Sequence, residues 1–302
     1  MGPPLVKLRA NRVPPMVYLV DASVYIFRAW FSIPDSMRDP AGNPVNALYG
    51  FARFLAELME RAAPAEIGVA YDESLTTSFR NEIYPLYKAN REKAPPELLQ
   101  QMKRCREFSE ALGCATFASP VWEADDIIGT LAARTDGPVT VVTSDKDLTQ
   151  LVGPADRWWN YASGRVLDRS GVFDHLGVWP EQVADMLALA GDAVDNIPGV
   201  RGIGIKTACA LLQHFGSLDE IYARLDEVPW LKLRGAATIT RKLEAGRAEA
   251  LLARRLTTIE RAADIGAYDL AWRGIDRPAL DAVCRDAGFS DRLRDTILAL
   301  DG

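Results

Sequence analysis

Nine carboxylates mark the places where chemistry could occur in this chain: Asp21, Asp72, Glu123, Asp125, Asp126, Asp145, Asp147, Asp192 and Asp195. Each stands at or just beyond the end of an expected strand or at a helix start. Like charges gathered at one sheet edge repel unless a cation neutralises them. Hard divalent ions such as Mg²⁺ or Mn²⁺ prefer oxygen ligands. Nine acids exceed what one Mg²⁺ takes while keeping its waters, and suit roughly two or three ions. Paired ions about 4 Å apart activate water and stabilise a leaving oxygen in phosphodiester cleavage. Each acidic group also has an ordinary reading. First-turn acids suit any helix dipole, DKD reads as a polar turn, and Asp192 and Asp195 as turn solvation. Their joint placement favours a metal site.

Other chemistries are poorly supplied. There are two histidines, His175 and His214, and four scattered cysteines without a CxxC pair. Histidine-based triads and zinc sites are therefore disfavoured, and a reduced cytoplasmic setting is the simplest reading. No apolar run reaches membrane-spanning length. A small-molecule phosphatase of the haloacid-dehalogenase type needs DxD after its first strand, but Ser23 stands two residues after Asp21.

The second feature is GVRGIGIKT at 199–207. It is neither a P-loop nor a GxGxxG fingerprint. Its glycines allow close backbone approach, and Lys206 with the following helix amides could hold a phosphate. Helix, glycine hairpin, helix reads as a sequence-independent clamp for a DNA backbone.

The elements that must position these residues follow from the pattern. MVYLVDAS, EIGVAYD, CATFASP and GPVTVVTSDKDL read as apolar strands, three of them ending in aspartate. NALYGFARFLAELMERA (46–62) and EADDIIGTLAART (123–135) read as amphipathic helices, and 156–168 as further strand with a turn at Ser163-Gly164. Strand–helix alternation predicts an α/β fold with a mainly parallel central sheet flanked by helices, whose ligands sit at the strands' carboxyl ends. Residues 1–15, with four prolines, read as a loose leader; 16–178 form the core; 179–302 form a helical region.

The segments LVDAS, SFRNEIYPLYKANR, EADDIIGTLA, VVTSDKDLTQLV and GDAVDNIPGVRGIGIKTA, in this order and spacing, resemble the 5′ nucleases: flap endonucleases and the 5′–3′ exonuclease domain of bacterial DNA polymerase I. The match covers about residues 16–290. No polymerase domain follows, which reads as a free-standing enzyme. The resemblance implies a PIN/resolvase-like core, a helical arch at about 74–112 and a C-terminal helix–hairpin–helix region. It implies a first metal site of Asp21, Asp72, Glu123 and Asp125 with Asp126 close by, and a second of Asp145, Asp147, Asp192 and Asp195. It assigns Lys88 and Arg91 to the scissile phosphate and Arg80 to another phosphate. It also assigns Gly199, Gly202, Gly204, Lys206 and Thr207 to a duplex-gripping turn that often holds K⁺. Where the family usually has a base-stacking tyrosine, this chain has Phe27, with Tyr25 a nearby competitor.

The implied activity is metal-dependent 5′–3′ exonuclease and structure-specific 5′-flap endonuclease action on DNA, in replication or repair, leaving 5′-phosphate and 3′-hydroxyl. The implied substrates are 5′ ends, 5′ flaps or RNA–DNA hybrids, and a monomer suffices. The alternative is a non-catalytic structure-selective DNA-binding protein. The net charge of −6 opposes nucleic-acid binding at first sight,. Without the nine acids it becomes +3, and residues 232–261 carry eight Lys/Arg against three acids.

Overall fold

The computed structural model describes residues 16–73 and 77–301; the expected leader and residues 74–76 of the expected arch lie outside them. A six-stranded sheet runs β1 (Val17–Asp21), β2 (Glu66–Asp72), β3 (Ala115–Ser119), β4 (Val139–Val142), β5 (Arg157–Asn160) and β6 (Arg165–Leu167). Its spatial order is β3-β2-β1-β4-β5-β6. All pairings are parallel except β5 with β6, the strands joined by the Ser163-Gly164 turn. The mainly parallel sheet expected from the sequence is present.

The order reverses between β1 and β4, so the loops leaving these two strands diverge and open a crevice at their carboxyl ends. The short central strands are apolar because both faces are covered: Leu19, Val20, Val141 and Val142 are all buried.

One face carries α1 (Ala22–Ser32), α2 (Asn46–Ala62) and, beyond the five-residue α3 (Phe79–Ile83), the long helix α4 (Pro96–Ala111). Apolar residues recur along α2 at helical spacing, and Leu48, Phe51, Leu55 and Leu58 are completely buried,. Proline at its first position starts α4,. The stretch expected as an arch is thus only partly separate from the core. Leu98, Cys105 and Phe108 pack α4 into the same apolar cluster as α1 and α2. Buried Gln101 accepts hydrogen bonds from the Ala47 and Leu48 amides at 2.8 and 3.1 Å, closing the start of α2.

The other face carries α5 (Ala124–Arg134), then α6 (Arg169–Leu176), α7 (Val183–Ala190), α8 (Ile205–Phe215), α9 (Leu218–Ala223), α10 (Ala236–Ala245) and α11 (Arg247–Thr257). The chain does not stay in this helical region to its end, as the sequence reading had it. Residues 270–276 return to the sheet: Ile67 donates to Leu270 O at 2.8 Å and Trp272 to Ala65 O at 2.9 Å. Helix α12 (Arg277–Ala287) then packs through Leu280 and Cys284 into the cluster of α1, α2 and α4, followed by α13 (Asp291–Leu298). All four cysteines are free and buried. Among the described residues no helix is long and apolar enough to cross a membrane.

Candidate active site

Asp21 ends β1 and caps α1, its carboxylate accepting from Val24 N at 3.5 Å. Its other oxygen accepts from Thr143 Oγ1, beyond β4, at 2.8 Å. Asp72 ends the neighbouring β2 and accepts from Ala124 N, in the first turn of α5, at 2.9 Å. These bonds tie three strand ends and two helix starts together. Asp125 lies in that same first turn.

Electrostatics within this group are strained. Burial, together with Asp72 and Asp145, pushes the Asp21 carboxyl up to about 7, against the Thr143 hydrogen bond. Burial and the charges of Asp145, Asp21 and Asp72 raise Asp125 well above the usual range. Glu123 moves the other way. Burial would raise it, but Lys88 and Arg80 prevail and hold it low. Lys88 Nζ donates to Glu123 Oε2 at 2.8 Å and lies 3.8 Å from Asp195 Oδ2. Tyr87, which the sequence reading did not single out, donates its hydroxyl to the same Glu123 oxygen at 3.0 Å. Its only sequence signal is adjacency to Lys88.

The second carboxylate group is built from two turns. Asp145 Oδ1 accepts from the Asp147 amide at 2.9 Å, fixing the turn after β4. Residues 192–197 form a tight hairpin in which Asp192 and Ile197 exchange both backbone bonds, at 3.0 and 2.8 Å. Asn196 takes positive φ there, which asparagine tolerates,. Burial and Asp145 push Asp147 up to about 7. Arg91, Asp145, Lys146, Asp147, Asp192 and Asp195 line a cleft of about 290 Å³. A larger cavity, of about 760 Å³, lies instead at the amino end of β3, lined by Gly113, Phe117 and Arg273.

The segment carrying Lys88 and Arg91 is clamped to this hairpin. Lys88 N donates to Asp195 O at 2.9 Å, Asn90 Nδ2 to Ala193 O at 2.9 Å, and Asn196 Nδ2 to Leu86 O at 2.7 Å. Arg91 pairs with Asp195. The two cations assigned to the scissile phosphate therefore stand among the carboxylates.

Two expectations are corrected. Asp126 is fully buried and Arg80 only 2% exposed. Arg80 grips Asp126 bidentately at 2.6 and 2.7 Å and donates to Leu256 O and Thr258 O at 2.8 and 3.1 Å. Asp126 also accepts from Glu123 N and Glu260 N at 3.2 and 2.9 Å. With its oxygens so engaged, Asp126 is a structural anion, and Arg80 is its partner inside the fold. Arg80 also lies 3.6 Å from Glu123 Oε2.

The aromatic ambiguity is reduced. Tyr25 is buried, stacked on Phe54 at 3.8 Å, with its hydroxyl accepting from Tyr161 N at 3.2 Å. Phe27 is half-buried against the same cluster.

In the glycine turn, Gly199 is required by packing, since a Cβ there would collide with the Ala190 and Gly191 backbone. Gly202 takes φ +80°, and its carbonyl accepts from Lys242 Nζ at 2.9 Å. Gly204 begins α8 in open space. The Thr207 amide is spent on Gly204 O at 2.9 Å, leaving the Ile205 and Lys206 amides outside the helix's own bonding. Lys206 is exposed.

The donors fit divalent ions. Glu123 Oε1 and Asp147 Oδ1 are buried carboxylate oxygens without a hydrogen-bond partner, one in each group, and hard cations take such oxygens. No three acids of the described residues are already gathered into a finished cage. Lys88, Arg91 and Lys146 stand between them.

A doubly wound sheet with acidic strand ends and a helical glycine turn defines the class of fold. Family models give the particular assignment: residues 16–177 match the N-terminal resolvase-like domain of 5′–3′ exonucleases and 178–278 their C-terminal SAM fold. The chain belongs to the 5′–3′ exonuclease family. It is 39% identical over 285 residues to DNA polymerase I of Pseudomonas aeruginosa, covering 92% of this chain and 31% of that protein. It is 38% identical over 291 residues to the Bacillus subtilis polymerase, covering 91% and 31%. The chain thus spans about a third of these relatives' length. Similar folds occur in T5 5′-exonuclease with bound zinc (TM-score 0.66, 20% identity, 94% and 98% coverage) and in the Rad2 catalytic core with DNA (0.64, 17%, 95% and 92%).

Proposed function

We propose that this chain is a divalent-metal-dependent 5′–3′ exonuclease and 5′-flap endonuclease that hydrolyses DNA to 5′-phosphate and 3′-hydroxyl. Membership in the 5′–3′ exonuclease family supports the reaction. The observation that carries the site is the pair of buried carboxylate oxygens without a hydrogen bond, one in each of the two carboxylate groups. Asp21, Asp72, Glu123 and Asp125 would hold one Mg²⁺ or Mn²⁺, and Asp145, Asp147, Asp192 and Asp195 another. Bound there, the ions supply an activated water and charge neutralisation for an in-line displacement. The chain's own cations act beside them. Lys88 and Arg91 stand over the acids from the 86–91 segment and meet the incoming phosphate, stabilising charge as it develops. The amides of Ile205 and Lys206 grip a duplex phosphate further along. A K⁺ ion at that turn would add a further charge contact to the duplex phosphate. Phe27 supplies a ring face for the terminal base. The protein acts as a cytoplasmic monomer, and RNA–DNA hybrids suit the same phosphate-directed grip.

The test is cleavage of a 5′-labelled flap duplex in Mg²⁺, run beside Asp145→Asn. Cutting near the single-strand/duplex junction by the unaltered protein alone is expected. Tight binding with no cutting in Mg²⁺ or Mn²⁺ would leave a structure-selective DNA-binding protein.

A further inference from the structure

Lys146 lies between the two aspartates of the turn after β4. Its Nζ is 3.4 Å from Asp192 Oδ2 and 3.7 Å from Asp147 Oδ1, and it lines the cleft formed by the second carboxylate group. The contrast with Lys88 is informative. The Lys88 side chain is 8% exposed and bonded to Glu123 at 2.8 Å, whereas Lys146 is 46% exposed and makes only longer contacts. A half-exposed ion pair of this length adds little stability, so the fold does not need Lys146 where it stands. The acids do need a cation: Asp147 Oδ1 is buried and without a hydrogen bond, and Asp145, Asp147 and Asp192 share one small cleft.

We propose that Lys146 is the internal counter-ion of the second carboxylate group, holding the electrostatic place of a divalent ion and yielding it when the ion binds. It thereby sets the affinity of that site. The inference rests on the nuclease reading above. An ammonium within 4 Å of two ligand oxygens opposes the entering ion until its flexible stem swings it outward, toward the mouth through which a phosphodiester must approach. Lys146 is thus a positioning residue.

The experiment is Mn²⁺ binding without DNA, read as loss of the free-ion EPR signal, for the full chain, Lys146→Met, Lys146→Gln and Lys146→Arg. Removing the charge should tighten the weaker class of Mn²⁺ sites about ten-fold, a little over 1 kcal/mol in Coulomb terms. Lys146→Arg should bind no more tightly than the unaltered protein. Unchanged or weakened Mn²⁺ affinity in folded Lys146→Met or Lys146→Gln overturns the counter-ion role and leaves the nuclease reading intact. Failure of the unaltered protein to take up Mn²⁺ at all would instead sink the nuclease reading, and this inference with it.

Discussion

Whether an acid at the carboxyl edge of this sheet serves the fold or the chemistry depends on what its oxygens already hold. Asp126 is saturated by Arg80 and two backbone amides, while Asp147 keeps a buried oxygen without a hydrogen bond. Breaking the buried pair on one side leaves an uncompensated charge, so Arg80→Met should cost about 3–5 kcal/mol. Chemical denaturation would show it. Asp145→Asn should do the reverse. It removes a carboxylate whose charged form is opposed by burial and, less strongly, by Asp195, so metal-free thermal stability should hold or rise while cleavage is lost. The raised carboxyls also set a pH dependence. Asp21 and Asp147 sit near 7 in the folded chain against 3.8 in the unfolded one, so the folded state binds the extra protons. The metal-free protein should therefore lose stability as pH rises from about 4 to about 7, and Asp125 and Asp145 act in the same sense. Glu123, held low, works oppositely and at lower pH. Melting in EDTA against pH checks this, and Mg²⁺ should flatten the fall by favouring the ionised forms. A melting temperature that climbs steadily over that range would contradict the arrangement.

At the scale of elements, the turn at 199–204 separates two uses of glycine. Gly199→Ala forces a methyl into the Ala190–Gly191 backbone and should lower the melting temperature along with duplex binding. Gly204→Ala meets nothing within 4 Å and has ordinary φ, so the fold should survive. A methyl there still stands where a phosphate would approach the α8 amides, so affinity for a plain duplex in EDTA should fall. Full affinity in a folded Gly204→Ala protein would remove the turn from the interface. The same elements show what the sequence could express. Apolar runs ending in Asp21, Asp72 and Asp145 were readable because a doubly covered parallel strand leaves such a run and its carboxyl end is where ligands gather. The Arg80–Asp126 pair was not, because the partners lie 46 residues apart and an Arg in a basic stretch looks the same whether it faces water or the core. Lys146 was read only as the spacer in DKD. The return of residues 270–276 to β2 rests on a few backbone bonds and leaves no periodicity to detect. The segment 77–95 was legible through its basic residues, but its clamp onto the 192–197 hairpin is made by main-chain carbonyls and two asparagines, which carry no pattern.

At the scale of the whole molecule, charge decides how the protein meets a polyanion. The chain carries −6, and eight of its acids are concentrated in the two carboxylate groups once Asp126 is assigned to Arg80. Neutralising those eight turns −6 into +2, so the same surface should repel DNA without divalent ions and attract it with them. The exposed cations Lys206 and Arg241, in the helical region, can meet duplex phosphates in either state and should give a steep salt dependence. On the proposed reading the acids line the path of the 5′ end, within a Debye length, about 10 Å at 0.1 M salt, of any phosphate brought to Lys88. Flap-duplex affinity should therefore rise by roughly ten-fold or more on replacing EDTA with Ca²⁺ at constant ionic strength. A duplex without a 5′ end or flap near the cleft should gain much less. Fluorescence anisotropy with both substrates measures the two gains side by side. Equal gains would mean that the ions act through general charge, and no gain for the flap would mean that the carboxylates do not stand in its path.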